Sequence, residues 1–274
     1  MVRRTAVAGR WYPDSRDGLL REVDRYLAHA REDSEEASAA PAALIAPHAG
    51  LMYSGPIAAY AYRQLEIAPP DVAILVGPSH FVAFEGVAID LSDGFETPLG
   101  LAESHRECAA AVMDAAPAVV REFPAAHERE HSLEMQLPFL KRVAPATKIV
   151  AMVMGRQTAA TARQLGDAIA AAAHGRRAVL IASSDLSHYH DAVTAGRMDR
   201  VVVDRVAGND ADGLQTVLDR EPDHACGGGP MVAVMHAARK LGAARARVLK
   251  YGDSGDVSGD KTAVVGYMAA AIGA

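Results

Sequence analysis

Two cysteines, Cys108 and Cys226, are all that the 274 residues contain, too few for a disulfide framework. Basic excess is missing too: the formal net charge is −6, and no Lys/Arg-rich run occurs. That excludes a nucleic-acid binder, which must displace counterions. Long apolar runs are absent. The longest, AVVGYMAAAIGA at the C-terminus, falls well short of the roughly 20 residues of a membrane span. The N-terminal MVRRTAVAGRWYPD starts basic, but Arg10 cuts its apolar stretch too short for a signal peptide. The chain also lacks the P-loop and dinucleotide-binding glycine patterns, the G-x-S-x-G elbow and the H-E-x-x-H helix. Nucleotide binding and the zincin proteases therefore find no support. A soluble, cytoplasmic, reduced protein is the expectation, binding neither nucleic acid nor membrane.

Half of the residues are hydrophobic, enough for a sizeable core. Apolar runs of strand length recur at 43–46, 72–77, 86–91, 148–155, 178–183, 247–252 and 262–268. Most are apolar throughout rather than alternating, so both faces of their sheet should be covered. Helical patterns lie between them, at 15–30, from Ser54 with Pro56 near the first turn, and at 103–115, 131–142, 157–173, 191–206 and 230–241. Alternating strands and helices predict an α/β fold, a mostly parallel central sheet with helices on both faces. REDSEEASAAPA (31–42) reads as a polar surface loop, too short for a linker, so residues 1–274 are expected to form a single domain.

Three strands end alike: ALIAPHAG on His48, VAILVGPSH on His80, and AVLIASSDLSH on Asp185 and His188. Sites of open α/β sheets lie beyond the carboxyl ends of the strands. One such histidine is more often an ordinary loop residue; three at one sheet edge form a constellation. Cys226 precedes three glycines and a helix that opens at Pro230, a setting that should stabilise its thiolate. Two imidazoles and a thiolate make a metal site with an open position. Cys108, within an amphipathic pattern, reads as core. In HSLEMQLPF, His131 and Glu134 stand one helical turn apart and should face the same way; His131 is placed near the site. The loop YGDSGDVSGDKTAVVGY (251–267) fails the EF-hand spacing and reads as a strand connection lining the pocket. His190 reads as a solvated surface residue.

Together AGRWYP, APHAGLMYSGPIAAYAY, GPSH, HSLEMQLPF, SSDLSHY, CGGGP and GDSGDVSGDKTAVVGY resemble the MEMO family, the B proteins of the AmmeMemoRadiSam system. The likeness runs from residue 5 to about 272. It implies a fold similar to the class III extradiol dioxygenases, non-haem iron enzymes that open catechol rings. It implies metal ligation by His48, His80 and Cys226, with Asp185 and His188 lining the pocket and handling protons, Asp185 orienting His188. Trp11 and Tyr53 match aromatic residues of the pocket wall. The dioxygenases carry a carboxylate where this sequence has Cys226, and thiolate suits Cu(I), Zn or iron of a different redox range. The implied cofactor is a divalent metal, Fe(II) first, with copper or zinc as competitors. The implied activity is that of an oxidoreductase acting on a small-molecule substrate. The alternatives are a binding protein that retains a vestigial pocket for a metal, small ligand or peptide, and a zinc-dependent hydrolase. Protein partners would come from the AmmeMemoRadiSam system.

Overall fold

A computed structural model describes residues 1–33 and 39–273. The runs of strand length become strands because β-branched and leucine side chains can bury on both sides of a pleat. The main sheet has nine: β1 (Ala43–Ala46), β2 (Val72–Pro78), β3 (Val87–Ile89), β4 (Val120–Glu122), β5 (Lys148–Met154), β6 (Ala178–Ser183), β7 (His188–His190), β8 (Arg245–Asp253) and β9 (Val264–Gly273). Their order is β7-β9-β1-β6-β2-β5-β3-β4, with β8 also paired to β9. The four central strands, β1, β6, β2 and β5, are parallel. Antiparallel pairings of β9 with β1 and of β3 with β5 flank them, so the sheet is mixed.

Alternation along each strand splits the core in two. Ile45, Ile74, Val76, Val150, Met152 and Leu180 pack under helices Arg106–Ala115, Ala159–Ala173, Ala192–Ala207, Ala211–Leu218 and Gly228–Lys240. Their strand neighbours Leu44, Leu75, Ile149, Ala151 and Ile181 face helices Arg16–Glu32, Leu51–Tyr62 and Leu137–Val143. Helices on both faces are therefore present, as the uninterrupted apolar runs require. Among the described residues no helix is long and apolar enough to cross a membrane; the C-terminal apolar run is β9.

Some boundaries differ from expectation for local reasons. Helix Leu51–Tyr62 starts one turn before Ser54, and Pro56 lies in its interior. Gly50 caps it, the Leu51 amide donates to the Trp11 carbonyl at 2.8 Å, and Ser54 Oγ donates back to the Ala49 carbonyl. The predicted helix 131–142 is a turn, then a 3₁₀ segment Glu134–Gln136, then helix Leu137–Val143. Helix Ala211–Leu218, capped by Asp210, was not expected, nor was a small sheet of Val2–Arg3, Gly94–Phe95 and Ala102–Glu103. Two-residue strands have too little period to read. Positions 34–38 of the expected surface loop lie outside the described residues.

Candidate metal centre

Parallel register delivers the three strand ends to one edge. Ala46 pairs with Ser183, and Val76 pairs with Ala182, so the residues after β1, β2 and β6 emerge side by side. Helix Gly228–Lys240 brings Cys226 there, and the approach needs glycine. A Cβ on Gly227 would stand 2.3 Å from the Ser183 carbonyl oxygen. His48, His80 and Cys226 each offer a ligand atom there, all within 4.8 Å of one another.

The hydrogen-bond network assigns the tautomer of both imidazoles. Ser183 Oγ donates its one hydrogen to the Ser132 carbonyl at 2.7 Å. It therefore accepts both from Gln136 Nε2 at 2.8 Å and from His48 Nδ1 at 2.8 Å. His48 carries its proton on Nδ1, and its Nε2 lone pair faces Cys226 Sγ at 3.3 Å. His80 Nδ1 lies 2.9 Å from Glu130 Oε1, an acceptor, which likewise leaves Nε2 free. His48 is 2% exposed, and burial, followed by the nearby His80 and His131, holds its pKa well below the ordinary value. A buried carboxylate or hydroxyl behind each ligating histidine is the usual support of a metal site.

Glu130, which the sequence reading did not single out, is the hub. Its carboxylate is buried and accepts from the His80, His131 and Ser132 amides and from His80 Nδ1. Burial alone would raise its pKa, but the His80 bonds and charge and the Ser132 amide hold it at about 2. Glu130, His80 and His131 also cluster closely enough for an ion; three of the four N–H donors fall on Oε1 and one on Oε2, so the carboxylate is already engaged in holding the His80 and 130–132 turns. Glu130→Gln should weaken metal binding by about 10–100-fold, the ordinary loss for such a support. Competition with a chelator measures it, and parental affinity would remove Glu130 from the site.

His131 stacks on His80, ring centroids 4.5 Å apart at 19°, and lies 5.6 Å from His48. Burial pushes its pKa down to about 4, with His80 adding to the shift. Trp11 covers it at 4.3 Å. A cavity of about 300 Å³ opens beside them, lined in part by Arg10, Trp11, Phe81 and His131. Neither it nor a larger one of about 700 Å³, around Arg4, Asp90 and His127, is lined by His48, His80 or Cys226. Tyr53 is half-buried in the first turn of helix Leu51–Tyr62 and makes no ring contact with the imidazoles among the described residues. Glu134 does not share a face with His131. It turns away to Arg3 and Tyr12, because Glu130 ties the 131 and 132 amides and prevents the helix from starting there.

Two expectations are corrected. Asp185 does not orient His188. Its carboxylate accepts the His48 amide at 2.7 Å and that of Ala49, and its own amide points at Cys226 Sγ at 3.3 Å. Burial raises Asp185 to about 7 against those two bonds. His188 Nδ1 donates instead to the Leu186 carbonyl at 2.8 Å, leaving Nε2 as a free acceptor; burial keeps its pKa low. Nor is Cys226 a low-pKa thiol without a cation. Burial, and then the Asp185 charge, push it up, and the helix cap is Gly227, not Cys226. Burial pushes Cys108 up as well. In the 251–267 loop, Lys261 Nζ bridges Asp253 at 2.7 Å and Asp256 at 2.6 Å, an internal ion pair in place of a calcium ligand set.

The sequence profile of the family described as Memo-like protein matches residues 3–271. A MEMO1 family protein of Pyrobaculum aerophilum is 41% identical, with 97% of each chain covered. One of Methanosarcina mazei is 39% identical, with 98% of each covered. A crystal structure of an uncharacterized protein from Escherichia coli K12 superposes with a TM-score of 0.55. It covers 82% of this chain and 98% of that one, and at 15% identity the likeness shows the fold alone.

Proposed function

This chain belongs to the Memo-like family, and on that premise we propose that it is a metal protein whose ligands are His48, His80 and Cys226. The proposed occupant is Fe(II), with copper or zinc as competitors, and the proposed activity is oxidoreductase chemistry on a small oxygen-bearing substrate. The observation that carries the reading is the pair of fixed tautomers. Both Nδ1–H groups are tied from behind, His48 Nε2 lies 3.3 Å from the Cys226 sulfur, and one ring nitrogen of each histidine falls with that sulfur within 4.8 Å. Two nitrogens and a thiolate suit a transition metal with positions left open. Such a metal would act as a Lewis acid and redox partner toward a bound substrate. The protein's own part is to hold that donor face rigid through Ser183, Glu130 and Asp185, and to present the free Nε2 of His188 as an acceptor of a substrate proton. Trp11 and His131 would form one wall against which the substrate lies.

A second reading, a metal or ligand binder without turnover, gains from one observation: His188 Nδ1 is held by the Leu186 carbonyl, and among the described residues no carboxylate hydrogen-bonds it. Metal analysis of protein purified anaerobically without a metal-binding tag, paired with an oxygen-uptake screen over catechols, decides between them. Iron near stoichiometric with uptake supports the enzyme. Tightly held metal without uptake supports the binder, and zinc with activity toward hydrolysable esters supports a hydrolase. Protein that takes up no metal at all sinks the proposal.

A further inference from the structure

Glu134 has no role in the ligand set, yet it is 0% exposed and collects four donors, all from the N-terminal segment. Oε2 accepts from Arg3 Nη1 at 2.5 Å and from the Ala6 amide at 2.7 Å. Oε1 accepts from the Val7 amide at 3.0 Å and from the Tyr12 hydroxyl at 2.7 Å. Those four groups bracket the stretch that carries Arg10 and Trp11. Arg3 also reaches the carbonyls of His127 and Glu130, so one short turn, 130–134, grips His80 by its first carboxylate and residues 3–12 by its last. The segment in turn supplies Ala6, Val7, Arg10 and Trp11 to the cavity beside His131. Its second tie runs to the other ligand loop, where the Trp11 carbonyl accepts the Leu51 amide at 2.8 Å.

We infer that Glu134 is a positioning residue: it fastens residues 3–12 as one wall of the cavity beside His131, and so fixes Trp11 over His131. A buried carboxylate needs all of its acceptor positions filled, and here the segment's own N–H and O–H groups fill them. A glutamine is nearly the same size but would aim an NH₂ group at two of those donors. The wall would then lose its seat at the edge of the core that Val7 and Tyr12 join, while the strands keep their pairing. The inference rests on reading the pocket as a ligand site, but its emission and acrylamide readouts need no bound metal, so the two can fail separately.

Trp11 is the only tryptophan in the chain, so its fluorescence reports this wall alone. In Glu134→Gln, the emission is expected to shift to longer wavelength and acrylamide quenching to rise several-fold, while far-UV circular dichroism and cobalt(II) uptake match the parent. Added cobalt(II), which quenches a fixed neighbouring indole, should quench Trp11 less in the variant. Parental emission, acrylamide access and cobalt quenching in a folded Glu134→Gln protein would overturn the inference. If that variant does not fold, Tyr12→Phe, which removes a single donor, decides: increased acrylamide access supports the role of Glu134, and unchanged access overturns it. Glu134→Asp, which keeps the charge, should restore part of the parental emission.

Discussion

Metal content is expected to fall to background in His48→Ala, His80→Ala and Cys226→Ala, with far-UV circular dichroism preserved. The three groups sit beyond strand ends and before a helix, outside both apolar cores, so losing one removes a donor without opening the core. Each variant leaves two of the three donors, whereas open metal sites of this kind ordinarily use three protein ligands. The charge balance adds a second observable. His48 already presents its Nε2 lone pair, while burial and Asp185 keep the Cys226 thiol protonated. Uptake must therefore expel the thiol proton, so binding should release about one proton and tighten as pH rises. Cys226→Asp should retain a metal, with preference shifted toward Fe(II) and away from copper, because a carboxylate is a harder ligand than a thiolate. Anaerobic metal analysis measures all four variants. Full occupancy in the two histidine variants would remove them from the ligand set.

The sequence made the fold and the convergence of His48 and His80 legible for the same reason. Strands buried on both faces are apolar end to end, so polar residues such as Pro47-His48 and Pro78-Ser79-His80 stand out where each strand stops. The supporting groups had no such contrast. Glu130 lies in HEREHSLE, where acids and bases alternate as on any solvated surface. Its burial follows only from the meeting of the 78–80 and 130–132 turns, fifty residues apart in the bond from His80 to Glu130. Ser183 looked like one of several polar residues after β6, and its part as the partner of His48 needs the β1–β6 register.

Asp185 and His188 stand three residues apart, yet each finds a different partner. The chain between them is pinned from elsewhere. Gly266 exchanges backbone hydrogen bonds with Leu186 and Ser187, and the Ser187 amide donates to Asp199 at 2.9 Å. Beyond it, Tyr189 takes the left-handed φ of +62° with its ring 77% exposed and stacked edge-on to His188. A bulky residue rarely adopts that conformation, and spacing alone does not foretell it. Asp185 is thereby held on the His48 amide, while His188, bonded to the Leu186 carbonyl, stays near enough to His48 and His80 to feel their charge.

That separation gives Asp185 and His188 opposite failure modes. Among the described residues His188 makes one side-chain hydrogen bond, through Nδ1 to a backbone carbonyl, so its removal should disturb neither the His48 nor the His80 loop. Metal retention in His188→Ala should equal the parent's. If the pocket turns over a substrate, a general acid–base group is worth about 10²–10⁴-fold in rate, and His188→Ala should lose that much. Asp185 is tied to the amides of His48 and Ala49 and lies against Cys226. An asparagine there keeps one acceptor and offers an NH₂ where an N–H donor now points, so Asp185→Asn should lose metal first and activity only in proportion. Activity per bound metal, measured with an active substrate across both variants, separates the two roles. A parental rate per metal in His188→Ala would end its part as proton acceptor. Parental metal content with a depressed rate per metal in Asp185→Asn would return Asp185 to the proton-handling side, where its sequence position first suggested it belonged.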